Sequence, residues 1–178
     1  MLKKLLKIEG FKDKVIDSAQ ITKNSGYETG FVSFIIDGKT VLGDVVVGNC
    51  DSVMPETGIE QKLRESFMKK LKIEIDGLFH FHPSDQLIVP SDDDLLDLFW
   101  RIRDGQLIKP TLNWMITGRV ADRINLLCLS PGTTSESDFR EWIRFTDSLS
   151  SFYFNEGLQE EINLYLEDLG FGVDYLTL

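Results

Sequence analysis

The sequence predicts an α+β fold, a central mixed β-sheet with helices packed on it. Three observations predict it. Strand-like and helix-like periodicities alternate in the order helix, strands, helix, strand, helix, strands, helices. An Asp37-Gly38 pair separates two apolar runs rich in Val and Ile, which is hairpin chemistry. The last quarter carries two helical stripes and then a short apolar tail. At 178 residues, with 42% hydrophobic and 27% charged side chains, the chain is expected to form one domain with a sizeable core. The sheet core is expected over about residues 11–129, with a helical extension over about 134–178.

The first helix is expected over residues 11–23. Phe11, Val15, Ala19 and Thr22 form its apolar stripe, with Lys12, Lys14 and Asp17 outside it, and Asn24-Ser25-Gly26 ends it. Residues 31–36 read as a strand, and after the Asp37-Gly38 turn residues 40–47 return as a second. Residues 48–58 read as a loop. Ile59, Leu63, Phe67 and Leu71 repeat at helical spacing. Leu71, Ile73 and Ile75 then alternate with Lys72, Glu74 and Asp76, which is strand periodicity. A helix follows from Ser91 to about residue 103, its core face Leu95, Leu98, Phe99 and Ile102. Two more strands are expected over 111–117 and 123–129. Phe139, Trp142, Ile143 and Thr146 mark one late helix, and Leu158, Ile162, Tyr165, Leu166 and Leu169 another, capped by Gly170.

Both histidines of the chain lie in His80-Phe81-His82-Pro83. A strand running through to His82 points both imidazoles to one face and Phe81 to the other. Two neutral imidazoles on one face can grip one divalent ion. Eight residues later Ser91 begins Ser91-Asp92-Asp93-Asp94, where Ser91 is a good N-cap and Asp94 falls in the first helical turn. Two histidines and one aspartate leave a tetrahedral zinc with an open position for water, the catalytic rather than the structural arrangement. Each part has a plainer reading: two histidines can share a strand for packing, and Ser-x-x-Asp is a common capping box. Their order over so short a span favours a metal site.

Whole-chain properties bound the function. The 19 basic and 29 acidic side chains give a net charge of −10, which argues against nucleic acid as partner. Cys50 and Cys128 do not suggest a disulfide framework, so a cytoplasmic location is expected. Cys128 lies in an apolar run and is expected in the core. No apolar run approaches the roughly 20 residues of a membrane span, so no membrane partner is expected.

These residues resemble a known family. The chain looks like a JAMM (MPN-plus) zinc metalloprotease domain of the compact prokaryotic type. That family's pattern is a glutamate early in the first strand, His-x-His-Pro, and Ser-x-x-Asp after seven intervening residues. Here Tyr27-Glu28-Thr29-Gly30-Phe31-Val32, His80-Phe81-His82-Pro83 and Pro90-Ser91-Asp92-Asp93-Asp94-Leu95 stand in that order. The resemblance implies a cytidine-deaminase-like sheet flanked by helices, with the C-terminal helices as an addition. It implies that His80, His82 and Asp94 bind Zn2+, that Glu28 is the general base and that Ser91 stabilises the oxyanion. It implies an isopeptidase acting on ubiquitin-like or sulfur-carrier proteins; a non-catalytic scaffold of the same fold is the alternative. The chain departs from the pattern twice. Residues 83–90 are one more than the usual spacing, so a strict count points to Pro90 and Asp93, whereas the intact Ser-x-x-Asp points to Ser91 and Asp94. Phe81 stands where the family usually has Ser or Thr, on the side expected to face away from the metal.

Overall fold

A computed structural model describes residues 2–50, 52–54, 69, 73–83, 113–120, 123–130, 135–149 and 156–178. The helices are α1 (Leu2–Leu5), α2 (Phe11–Ser25), α3 (Glu136–Leu149) and α4 (Glu156–Asp168). The strands are β1 (Thr29–Ile36), β2 (Lys39–Leu42), β3 (Val46–Val47), β4 (Ile73–Phe81), β5 (Asn113–Val120), β6 (Arg123–Ser130) and β7 (Gly172–Thr177). They form one sheet in the order β2-β1-β4-β5-β6-β7, with β3 also pairing β1. Among the described residues β4 and β5 run parallel and the other pairings are antiparallel. The expected α+β architecture with a mixed sheet is therefore present.

The elements begin and end where local chemistry dictates. Helix α2 stops at Gly26, whose φ of 71° is left-handed and whose N–H bonds the Thr22 carbonyl at 2.9 Å. The β1–β2 hairpin turns through Asp37 and Gly38, both at positive φ (49° and 80°), so Ile36 pairs with Lys39. The return strand expected over 40–47 is split. Gly43 still donates to the Val32 carbonyl at 2.7 Å, then the chain leaves the sheet and rejoins β1 at Val46. Gly43 and Asp44 are poor strand residues, and Asp44 stands 75% exposed, 3.8 Å from the Lys14 ammonium. The two late helices appear as α3 and α4, and the apolar tail forms β7. The helices expected over 59–71 and from Ser91 lie outside the described residues, Lys69 apart, as do Ser91, Asp93 and Asp94 themselves.

Alternation along the strands sorts side chains onto two faces. On one face Phe31, Phe79, Phe81, Leu126 and Cys128 pack with Leu5 of α1 and Phe11, Val15 and Ala19 of α2. Phe31 and Phe79 stack at 4.7 Å between centroids, and Phe11 meets both edge-on at 5.8 and 5.1 Å. On the other face Leu127 and Leu129 pack with Trp142 of α3, Ile162 and Leu166 of α4, and Phe171. Nearer the β2 edge Val32, Phe34 and Leu78 form a smaller cluster. Among the described residues no helix is long and apolar enough to cross a membrane.

The two thiols sit in opposite environments. Cys50 is exposed and Cys128 is wholly buried. Burial, with Asp174 opposite on β7, pushes the Cys128 thiol well above the ordinary cysteine range. A thiol-specific reagent on the native protein is expected to titrate one cysteine quickly, and the second only after unfolding in urea. Two fast thiols would contradict this packing of β6.

Candidate functional site

The site begins with the register between β1 and β4. Thr29 faces Phe81 and Gly30 faces His80, so the same register carried one residue further brings Glu28 opposite His82. Phe79 and Phe81 fill the core on the α2 face, so pleating turns His80 and His82 to the other face. Gly30, opposite His80, presents no side chain there. Strand β4 ends at Phe81, and His82 continues its alternation.

The two imidazoles converge. Their Nε2 atoms are 2.8 Å apart, and their rings are 4.7 Å apart and tilted by 36°. At that distance one ring donates and the other accepts, which fixes opposite tautomers. Around tetrahedral zinc two such nitrogens stand about 3.3 Å apart, given Zn–N bonds of about 2.0–2.1 Å. For both to ligate one ion, the rings would part by about half an ångström and the donor ring would carry its proton on Nδ1 instead of Nε2. Glu28 completes the constellation. Its Oε1 lies 3.8 Å from His82 Nε2, too long for a direct hydrogen bond. The Glu28 side chain is 10% exposed and that of His82 22%. Among the described residues no group of three or more His, Cys, Asp or Glu is arranged to hold a metal ion. Glu28 stands beside the histidine pair.

Glu28 is held from both sides along the chain. Before it, Tyr27 donates its N–H to Ser25 Oγ at 3.1 Å, and that hydroxyl donates to the Ile21 carbonyl at 2.8 Å. After it, buried Thr29 donates its hydroxyl to the Ser18 carbonyl at 3.0 Å. Since the Thr29 proton is used there, Thr22 is the donor in the 2.7 Å contact between the two threonine hydroxyls. Across from it, the Glu28 N–H donates to the Asn49 carbonyl at 2.6 Å and its carbonyl accepts from the Gly48 N–H at 2.8 Å.

Of the sequence-predicted site residues the structure brings together Glu28, His80 and His82. Sequence reasoning missed the supports: Ser18, Thr22 and Thr29 on one side, Gly48 and Asn49 on the other. A threonine inside an apolar helical stripe and a Gly-Asn pair after a strand were the available signals. In comparison with known proteins, no family model and no curated relative matches the chain.

Thr29→Val is expected to cost about 1 kcal/mol of stability, the usual net value of one hydrogen bond. The loss stays near that value because Thr22 can turn its hydroxyl to the Ser18 carbonyl one helical turn back. Urea titration of the variant against the parent chain measures it. A loss above about 3 kcal/mol would mean that the threonine pair holds more than one bond's worth of structure.

Proposed function

We propose that this chain is a zinc-dependent peptidase or isopeptidase of the JAMM (MPN-plus) kind, cleaving ubiquitin-like or sulfur-carrier-like proteins from their conjugates. One observation carries the reading: two imidazole Nε2 atoms converge at 2.8 Å with a largely buried glutamate 3.8 Å away. The donor set fits the metal, since neutral imidazoles are preferred zinc ligands and a nearby carboxylate that is not a ligand is a competent base. In this reading His80 and His82 hold Zn2+ through Nε2, and the resemblance assigns Asp94 as third ligand and Ser91 as oxyanion donor. When bound, zinc supplies a Lewis acid for the scissile carbonyl and lowers the pKa of water. Glu28 accepts the proton of the attacking water at Oε1 and delivers it to the leaving amine nitrogen. Ser91 donates its hydroxyl proton in a hydrogen bond to the developing oxyanion.

Limited access to the site supports a thin substrate. With Glu28 and His82 so little exposed, an extended C-terminal tail ending in small residues can approach where a folded surface cannot. Neither Cys50 nor Cys128 is in a disulfide, which fits a reducing cytoplasm.

The test is release of a ubiquitin-like protein from fusions and lysine conjugates, with and without chelator. Chelator-sensitive release is expected, with near-stoichiometric zinc in the purified protein. Zinc-loaded protein that binds a modifier tightly and cleaves none of the panel would leave a binding scaffold in place of the enzyme.

Single substitutions separate the roles. Glu28→Gln is expected to keep zinc and fold while turnover falls by about 10²–10⁴. Asp94→Asn is expected to weaken zinc binding strongly and Asp93→Asn only weakly, measured by competition with a chromogenic chelator. The reverse order would move the ligand to Asp93, and zinc loss in Glu28→Gln would make that glutamate a ligand.

A further inference from the structure

Gly48 and Asn49 pair with the backbone of Glu28, and Asn49 closes a ring of hydrogen bonds with Ser52. Gly48 and Asn49 together oppose the single residue Glu28: one donates to its carbonyl at 2.8 Å and the other accepts from its N–H at 2.6 Å. Two residues against one is the form of a β-bulge, which re-aims the facing side chain and is common beside active sites. The bulge is locked by a ring. The Asn49 N–H donates to the Ser52 carbonyl at 2.9 Å, and Asn49 Oδ1 accepts from the Ser52 N–H at 2.8 Å and from Ser52 Oγ at 3.3 Å.

Position 48 must be glycine for this ring to close. A Cβ there would stand 2.0 Å from the Ser52 carbonyl oxygen, 2.8 Å from Val53 Cα and 2.9 Å from the Ser52 carbonyl carbon. All three obstacles are backbone, so any side chain displaces the loop. Gly48 is not among the glycines at positive φ, so its requirement is space and not left-handed freedom.

We propose that Gly48, Asn49 and Ser52 are positioning residues that fix the carboxylate of Glu28 relative to His82 through the backbone of Glu28. The inference rests on the general-base role proposed for Glu28. The ring holds the two peptide groups flanking the Glu28 Cα, so its Cα–Cβ direction is set by the loop as much as by β1. A carboxylate with a 3.8 Å gap to bridge has little tolerance, and a displacement of about 1 Å costs roughly 10²-fold in rate. The hydrogen bonds of this loop run to the backbone of Glu28, so its effect is expected on the base.

Two measurements on the full chain test this. In amide hydrogen exchange, the Glu28 N–H is expected to be protected in the parent chain and to lose about tenfold or more of its protection in Gly48→Ala and Asn49→Ala. The amides of Thr29–Ile36 are expected to keep theirs, which also shows that the variants fold. An unprotected Glu28 amide in the parent overturns the clamp. In cleavage of the modifier fusion, Gly48→Ala is expected to lower kcat by about 10²-fold with KM within about threefold and zinc content unchanged. Asn49→Ala moves kcat the same way by less, and Asn49→Asp, which keeps the acceptor for Ser52, restores most of it. Parent-like kcat in Gly48→Ala and Asn49→Ala, while Glu28→Gln remains inactive, overturns the positioning role and leaves the function standing. A zinc-loaded parent chain without any turnover overturns the function, and this role with it.

Discussion

The antiparallel register of β1 against β4 is the constraint on which the rest depends. It places Gly30 across from His80 and Phe31 across from Phe79. The same pairing therefore decides the core and the site together. Slipping β4 by one residue would carry both imidazoles into the space held by Phe79 and Phe81 and turn the phenyl rings outward. Burying two unpaired imidazoles costs several kcal/mol, and exposing two buried phenyl rings forfeits about 1.5–3 kcal/mol for each. The aromatic contacts of Phe11, Phe31 and Phe79 thus fix the register that places the histidines.

A largely buried carboxylate is the costliest part of the arrangement. A charged Glu28 at 8% exposure loses hydration that only fixed partners or a cation can replace. The fold also holds the residue rigidly. Gly26 ends α2 two residues before Glu28, Thr29 ties the next residue to the helix, and the loop at Gly48–Asn49 takes both backbone groups of Glu28 itself. A side chain held from both neighbours and across the strand loses little further entropy when it works, which is how a site on rigid elements differs from one on a free loop.

What was legible in the sequence follows the range of the physics. Helix α2, its glycine stop, the Asp37-Gly38 hairpin, the His strand and the buried Cys128 were all readable, because each is set by neighbours in the chain. The break between β2 and β3 was hinted at by Gly43-Asp44 but masked by the Val-rich run around it. Helix α1 and the threonine and asparagine supports were not legible. Leu5 earns its place only by packing under the sheet, and Thr29, Ser18 and Asn49 bond across seven to twenty-one positions. His80 and His82 were found because they are two apart; Glu28, more than fifty residues earlier, was reachable only by resemblance.

Topology adds a last step. His80 and His82 stand at the carboxyl end of β4, where the chain leaves the sheet at Pro83 to return in parallel as β5. An antiparallel return needs only a tight turn, whereas a parallel one needs a dozen or more residues. The fold therefore obliges a long connection, residues 84–112, to start beside the two imidazoles. Open mixed and parallel sheets bind ligands at this end of their strands for that reason, since it is where long connections can supply side chains. The connection is also where the sequence concentrates its spare chemistry, with Ser91 and three consecutive aspartates within twelve residues of His82. The histidine pair and Glu28 both lie at the antiparallel β1–β4 pairing, where register is strict.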